Sequence, residues 1–537
     1  MKTLLLITFF TTSLFSFTND TITLQWLEKQ PKSFAKDFYI WRYLDKDITP
    51  EESNKAIAQV RYLNNKILYR YIDKSKDINL QDYKNCMRSS SKNLLNKEAY
   101  CMEAGLSVYD ATKLSNKELS TIIKKSKIEY PKFTKKLEIL KSNTPFETLI
   151  EEDKDTFFDT FNQCGGVYRV QNFNHYFPTK LFSKLKNDKQ FAQTIKLIVT
   201  NLKMRKAQIS LLQLSPEGLD FKSVFHLAIN AIRHKKEDLA LIYLEDAFSK
   251  AYYRMQKDNI LFWQYQLTQD KKYLETLSQS WDVNLYSIYA NELLEQPLKN
   301  IVYSVNKNEK NNTDYDIKNP FSWLSILDES KKMNEDKLLK YKKLFSTTET
   351  QGQLAFVKER YVKYKKSYFV TPYEKYLKDL KDERKALIYA IGRQESRFIP
   401  TSISPAYAMG TMQIMPFLSR AIAKDLKEPY NIDKQLTAQT NLKYANYHLN
   451  YLEKHLDNPL FVAYAYNGGI GFTKRLLKTE LFKKKKYEPY LSMELLPYDE
   501  TKKYGKKVLT NYFIYNNYLS KKDPIKFSSL IQNIQNL

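Results

Sequence analysis

One carboxylate, Glu395, sits in the run Arg393-Gln394-Glu395-Ser396-Arg397-Phe398, and from Ser396 to Lys424 the chain contains no Asp or Glu. Glycosidic bonds are ordinarily cut by two carboxylates, one protonating the leaving oxygen and one acting as nucleophile or activating water. A lone acid followed by an acid-free loop therefore points to a general acid that finds its nucleophile within a neutral polymer. The loop Ser404-Pro405-Ala406-Tyr407-Ala408-Met409-Gly410-Thr411-Met412-Gln413-Ile414-Met415-Pro416 supplies groups suited to sugars. Gln413 brings an amide that can hold hydroxyls or an N-acetyl group, and the flexible thioether of Met415 can line a groove. Taken singly, these residues also read as a surface amide and core methionines.

Leu377, Leu380, Leu387 and Ile391 have spacings that place them on one face of a single helix, and one more turn reaches Glu395. Pro400 then predicts that Glu395 occupies the last turn, where the backbone carbonyls concentrate negative potential. Burial and that potential both disfavour the charged form, so the acid is expected to hold its proton near neutral pH. The competing reading is a structural Glu395 paired with Arg393 or Arg397. A second patch starts a helix at Asn458-Pro459 and ends it in Ala465-Tyr466-Asn467-Gly468-Gly469-Ile470-Gly471. One glycine would end a helix; three let backbone approach a ligand, with Tyr466 offering a face and a hydroxyl. A third patch, Glu494 to Tyr504, puts acids and aromatics before the last helix and alone would pass as a loop.

The elements that must hold these patches are mainly helical. Glycine numbers 11 in 537 residues, far below the usual share of about 7 %. Six of the eleven fall in 369–537, marking loops with unusual backbone angles. Glycine-punctuated barrels and dinucleotide folds are disfavoured. From about Thr23 to Tyr303 the chain repeats amphipathic helices with short polar connections, such as Thr49-Pro50-Glu51-Glu52, a capping box with proline at the first helical position. Lys222 to Leu294 reads as at least four helices, and stacked helix pairs are the natural way to bury so many one-sided helices. The expected fold is all-α in the main: an α-solenoid, then a helical linker and a C-terminal domain. The expected divisions are 18–305, 306–368 and 369–537, with Asn306 to Asn319 as the polar linker.

The chain carries 86 Lys and Arg against 60 Asp and Glu, a net charge of +26, with one tight cluster at Lys483 to Lys486. Solvated helix faces account for this, as does attraction to a polyanion such as a cell-wall polymer. No zinc spacing or ribonucleoprotein signature points to nucleic acid. The five histidines show no metal spacing, and neither a metal site nor a cofactor is assigned. Lys2 and the apolar run Leu4 to Phe17 have the length of a signal-peptide core, so 1–17 is expected to direct export to the periplasm, leaving no transmembrane segment in the mature protein. Cys86 and Cys101 could close one loop in an exported protein, leaving Cys164 free; three buried thiols are the alternative.

Together the patches Arg393 to Phe398, Ser404 to Pro416, Ala465 to Gly471 and Glu494 to Tyr504 resemble the catalytic domain of the soluble lytic murein transglycosylases, which is similar to goose-type lysozyme. The resemblance covers about 170 residues and extends faintly upstream at Phe262-Trp263-Gln264 and Asn284 to Ala290. It implies a lysozyme-like α+β catalytic domain behind a helical superhelix that could curl into a ring, and a lyase acting on the β-1,4 bond between N-acetylmuramic acid and N-acetylglucosamine. Glu395 would serve as acid and then base, giving a 1,6-anhydro product, and Ser404, Gln413, Met415, Tyr466, Asn467 and Glu494 would orient the sugars. The implied partners are peptidoglycan strands with their stem peptides and proteins of cell-wall synthesis, with the enzyme a monomer. The sequence departs from the family at Tyr407, where glycine is usual, and at Thr411, Gly468 and Ile470. A hydrolytic muramidase and a non-catalytic cell-wall scaffold are the competing readings.

Overall fold

The computed structural model describes residues 21–305 and 315–534. The expected signal peptide and the first nine residues of the expected linker lie outside them. Among the described residues nearly all regular structure is helical. The exceptions are a parallel pairing of Ile301–Val302 with Ser367–Tyr368 and two isolated antiparallel bridges, Ile403 with Met409 and Met409 with Ile414. The α+β character expected of the C-terminal domain reduces to those bridges. No described helix is long and apolar enough to cross a membrane.

The chain divides into two compact units that cut across the divisions expected from sequence. The first combines residues 21–77, Tyr315–Glu329 and Ile399–Ala445. Its core is aromatic: Phe38 and Tyr39 of the helix Phe34–Tyr43 pack with Trp26, Trp41, Phe321 and Tyr407. Ser33 caps that helix by accepting from Lys36 N, and Thr49 with Glu52 forms the reciprocal capping box expected at Pro50–Ile57. Arg42 reaches Asp433 with both terminal nitrogens, at 2.5 and 3.1 Å, a two-pronged bond across nearly 400 residues of sequence. The reason the 399–445 stretch joins this unit is Tyr407, which is 1 % exposed and sits among Phe38 and Trp41 at ring distances of 5.6 and 5.4 Å.

The second unit holds the rest. Between Ile78 and Leu293 its helices pack mainly on neighbours one to three places away in chain order, burying their apolar stripes against one another. Lys222 to Leu294, expected to contain at least four helices, contains five: Phe221–Arg233, Glu237–Lys250, Arg254–Thr268, Lys271–Ser278 and Leu285–Leu293. Asp220, Asp270 and Asn284 cap three of them through side-chain oxygens. A disulfide joins Cys86 in Ile78–Arg88 to Cys101 in Ala99–Gly105, with Cα atoms 4.9 Å apart. Cys164 is a buried free thiol, and burial pushes it up to about 11. The basic cluster is not bare charge: Lys483 and Lys485 pair with Glu480, and Lys486 with Glu237.

Three helices of this unit set the candidate site. The Glu395 helix (Asp382–Glu395) and the Tyr466 helix (Pro459–Gly468) both pack on the long helix Asp499–Leu519. Gly505 lets the Tyr466 helix come close, because a Cβ there would stand 2.1 Å from the Tyr464 ring. Asn458 caps the Tyr466 helix ahead of Pro459, as its sequence predicts, and Gly469 closes it with φ +86°.

Candidate active site

The Glu395 helix ends at Glu395 itself, as Pro400 predicts, but it begins later than the leucine spacing implied. Leu377 and Leu380 lie ahead of it, beyond the short turn Glu374–Tyr376, because Asp382 and Glu383 are better placed against the positive end of a helix than inside one. Ala386, Leu387, Ile388, Ala390 and Ile391 form its buried face.

Glu395 keeps partial exposure, as a group that must meet a ligand requires. Tyr504 donates its hydroxyl to Glu395 Oε1 at 2.7 Å. Burial raises the carboxyl to about 7, the Tyr504 bond opposes the rise, and the Glu500 charge adds to it. Burial and then the Glu395 charge push the Tyr466 phenol well above its ordinary value, so Tyr466 stands within electrostatic reach of the acid. Tyr504 is raised for the same reasons.

The competing reading, a Glu395 paired with a neighbouring arginine, is not what the structure shows. Arg393 donates to Glu359 Oε1 at 3.0 Å, to Asn511 Oδ1 at 3.0 Å and to Tyr368 O at 3.1 Å, and Arg397 lies 3.4 Å from the Glu359 carboxylate. A buried carboxyl without a cation is the one that stays protonated.

Around Tyr466, Asn467 donates to Glu500 Oε1 at 3.1 Å and accepts from the Thr501 hydroxyl at 2.8 Å. Glu500 and Tyr504 are absent from the residues expected to form the site. Both stand in the helix Asp499–Leu519, four positions apart and hence on one face. The Asp499-Glu500 pair is a first-turn signal that could have found them: the third patch begins that helix rather than preceding it.

Glu494 is placed elsewhere. It is 3 % exposed, and its Oε1 accepts from Lys506 Nζ at 2.5 Å, Tyr286 hydroxyl at 3.0 Å and Asn259 Nδ2 at 3.0 Å. Lys502 Nζ donates to its backbone oxygen at 3.1 Å. Burial alone would raise this carboxyl, but Lys506 and Lys502 outweigh it and hold Glu494 below the usual carboxylate range. All three of these side-chain bonds converge on Oε1.

Ser404, Gln413 and Met415 belong to the first unit. Ser404 closes a turn, its Oγ accepting from Ala408 N at 2.9 Å. Gln413, at φ +48°, donates its amide to Ser402 O at 3.1 Å and Gly410 O at 2.9 Å. Gly410, at φ +81°, is packed so closely that a Cβ would lie 2.3 Å from Gln435 O. Met415 stands at the residue before the helix Pro416–Asp425, makes no capping bond with its side chain, and stays partly exposed. Tyr407, in the position where glycine is usual, takes φ +71°; its hydroxyl accepts from Asn64 Nδ2 at 3.0 Å, and Lys66 lies 5.0 Å from its ring centre.

Residues 374–489 match the family described as Transglycosylase SLT domain. The chain is 30 % identical over 152 residues to the soluble lytic murein transglycosylase of Salmonella typhimurium, spanning 28 % of this chain and 23 % of that protein. It is 32 % identical over 143 residues to the protein of the same name from Escherichia coli, spanning 26 % of this chain and 22 % of that one. These matches thus span less than a quarter of those relatives' own length. The solved structure of the lytic transglycosylase Slt from Pseudomonas aeruginosa aligns over 94 % of this chain and 90 % of its own, with 16 % identity and a TM-score of 0.48. The stretch that carries Glu395, Gln413 and Tyr466 matches the transglycosylase SLT domain and is similar to the soluble lytic murein transglycosylases.

Proposed function

We propose that this protein is a peptidoglycan lytic transglycosylase, exported to the periplasm, that cuts the β-1,4 bond between N-acetylmuramic acid and N-acetylglucosamine without water. The observation that carries the reading is the Glu395 carboxyl, raised to about 7 and bonded to Tyr504 with both neighbouring arginines engaged elsewhere. Such a group delivers a proton at neutral pH. Glu395 protonates the glycosidic oxygen as the bond to muramic C1 breaks, and the substrate's own acetamido oxygen stabilises the cation at C1. The Glu395 carboxylate then takes the proton from the C6 hydroxyl, whose oxygen bonds to C1, leaving a 1,6-anhydro ring and returning the acid to its starting form.

Tyr466 and Asn467 present a ring face and an amide beside the acid. In the loop, Ser404 and Met415 meet the sugars, as does Gln413, whose amide nitrogen is engaged within the loop and whose oxygen remains for a sugar N–H or hydroxyl. Glu494 supports the start of the long helix from behind. The net charge of +26 favours an anionic wall polymer.

Glu500 gives the hydrolytic reading its one specific support, since a second carboxylate whose charge reaches Glu395 could activate water. Mass spectrometry of muropeptides released in heavy-oxygen water separates the two: anhydro ends without label support the transglycosylase, and labelled reducing muramic ends overturn it. Glu395→Gln is expected to lower turnover about a thousandfold, and a variant as active as the wild type would remove the catalytic assignment.

A further inference from the structure

Glu359 belongs to the helix Gln351–Tyr361, outside the stretch matched to the SLT domain. It is 3 % exposed and accepts from Arg393 Nη2 and from Tyr368 N, each at 3.0 Å, while Arg397 Nη1 lies 3.4 Å away. One buried carboxylate thus holds both of the cations that flank Glu395 in the sequence. Arg393 is locked further by Asn511 and by the Phe369 ring, 4.1 Å from its guanidinium carbon. Arg397 is 36 % exposed, and among the described residues Glu359 is its one ionic partner.

We propose that Glu359 is a positioning residue for the reaction: by holding Arg393 and Arg397 it keeps Glu395 without a counter-ion, so that the acid keeps its proton at working pH. This rests on the reading of Glu395 as general acid. The groups that bear on Glu395 are few. The long helix contributes Tyr504 and the Glu500 charge, and the Tyr466 helix contributes Tyr466; Lys503 and Lys507 follow on the long helix, and the two arginines flank Glu395 in sequence while held by Glu359. The arginine charges reach even Lys507, which burial lowers first and Arg397 and Arg393 lower further. A guanidinium released from Glu359 would favour the charged form of Glu395, and a general acid that ionises earlier loses activity at lower pH.

The test uses the full chain. In Glu359→Gln the basic limb of the kcat–pH profile on peptidoglycan is expected to move down by about one unit, with Glu359→Asp moving less. Adding Arg397→Gln to Glu359→Gln should return the limb toward the wild type, and Arg397→Gln alone should leave it in place. A merely structural Glu359 would lower kcat at every pH and leave the limb where it is. The carboxylic-acid infrared band of Glu395, identified by difference against Glu395→Gln, reports the same midpoint without turnover. If Glu359→Gln does not fold, the Glu359→Asp midpoint decides. An unmoved limb and band in a folded variant overturn the proposal, whereas an active Glu395→Gln overturns the catalytic reading and leaves the infrared test of Glu359 standing.

Discussion

Glu395 and Glu494 are the same side chain in the same unit, both withdrawn from bulk water, yet their carboxyls are driven in opposite directions. Glu395 closes a helix, accepts one phenol hydrogen bond and has no cation among the described residues; it rises to about 7. Glu494 meets Lys506, Tyr286 and Asn259 and falls below the usual range. Burial pushes both upward, and the partner decides which way each one ends. The difference also separates two tasks. A paired, neutralised carboxylate fixes the helices around it, while an unpaired one stores a proton.

The strongest way to break the contrast is to strip Glu494 from its lysines. Glu494→Ala takes the buried carboxylate from Lys506 and leaves it only the neutral Tyr286 hydroxyl, and is expected to cost about 3–5 kcal/mol of stability in urea melts. Because Glu494 is depressed in the folded state, its contribution is present above the unfolded value and is lost as pH falls from about 4.5 toward about 2. The variant and wild type should therefore converge in stability in strong acid, and a gap that persists there would refute the pairing argument.

Glu395 should show the reverse sign. Its raised carboxyl leaves stability untouched below about 4.5 and imposes a cost as pH rises through about 7. Glu395→Gln removes that cost and should gain about 2 kcal/mol at pH 8, allowing for the partial exposure of the group, and nothing at pH 4. Equal effects at both pH values would show that the acid is not held neutral. The smallest effect sharpens the comparison from the side of the phenol. Tyr504→Phe deletes the one hydrogen bond that favours ionised Glu395, so the basic limb should rise by about half a unit, opposite to the shift expected for Glu359→Gln.

The sequence carried the chemistry further than the boundaries. Pro400 fixed the end of the Glu395 helix, and Asn458 with Pro459 fixed the start of the Tyr466 helix, because caps and prolines act locally. Leu377 and Leu380 misled because apolar spacing continues across a break in the backbone, whereas the acids that set the helix start do not advertise themselves as strongly. Glu494 and Glu500 could not be told apart from composition. One is buried against two lysines of the following helix and against Tyr286 and Asn259, the other remains at the surface, and only the packing distinguishes them. Glu359 was invisible for the same reason: its two arginines lie 34 and 38 positions away.

Tyr407 sets a timetable for the chain. Its ring waits for Phe38, Trp41 and Asn64, and its hydroxyl stands 3.5 Å from the Asp37 carbonyl, 370 residues earlier. During synthesis the first helices are made long before the loop they anchor, and the loop that holds Gln413 closes on them only after some 370 further residues. A chain halted before Ala445 has its first helices but not the complete first unit.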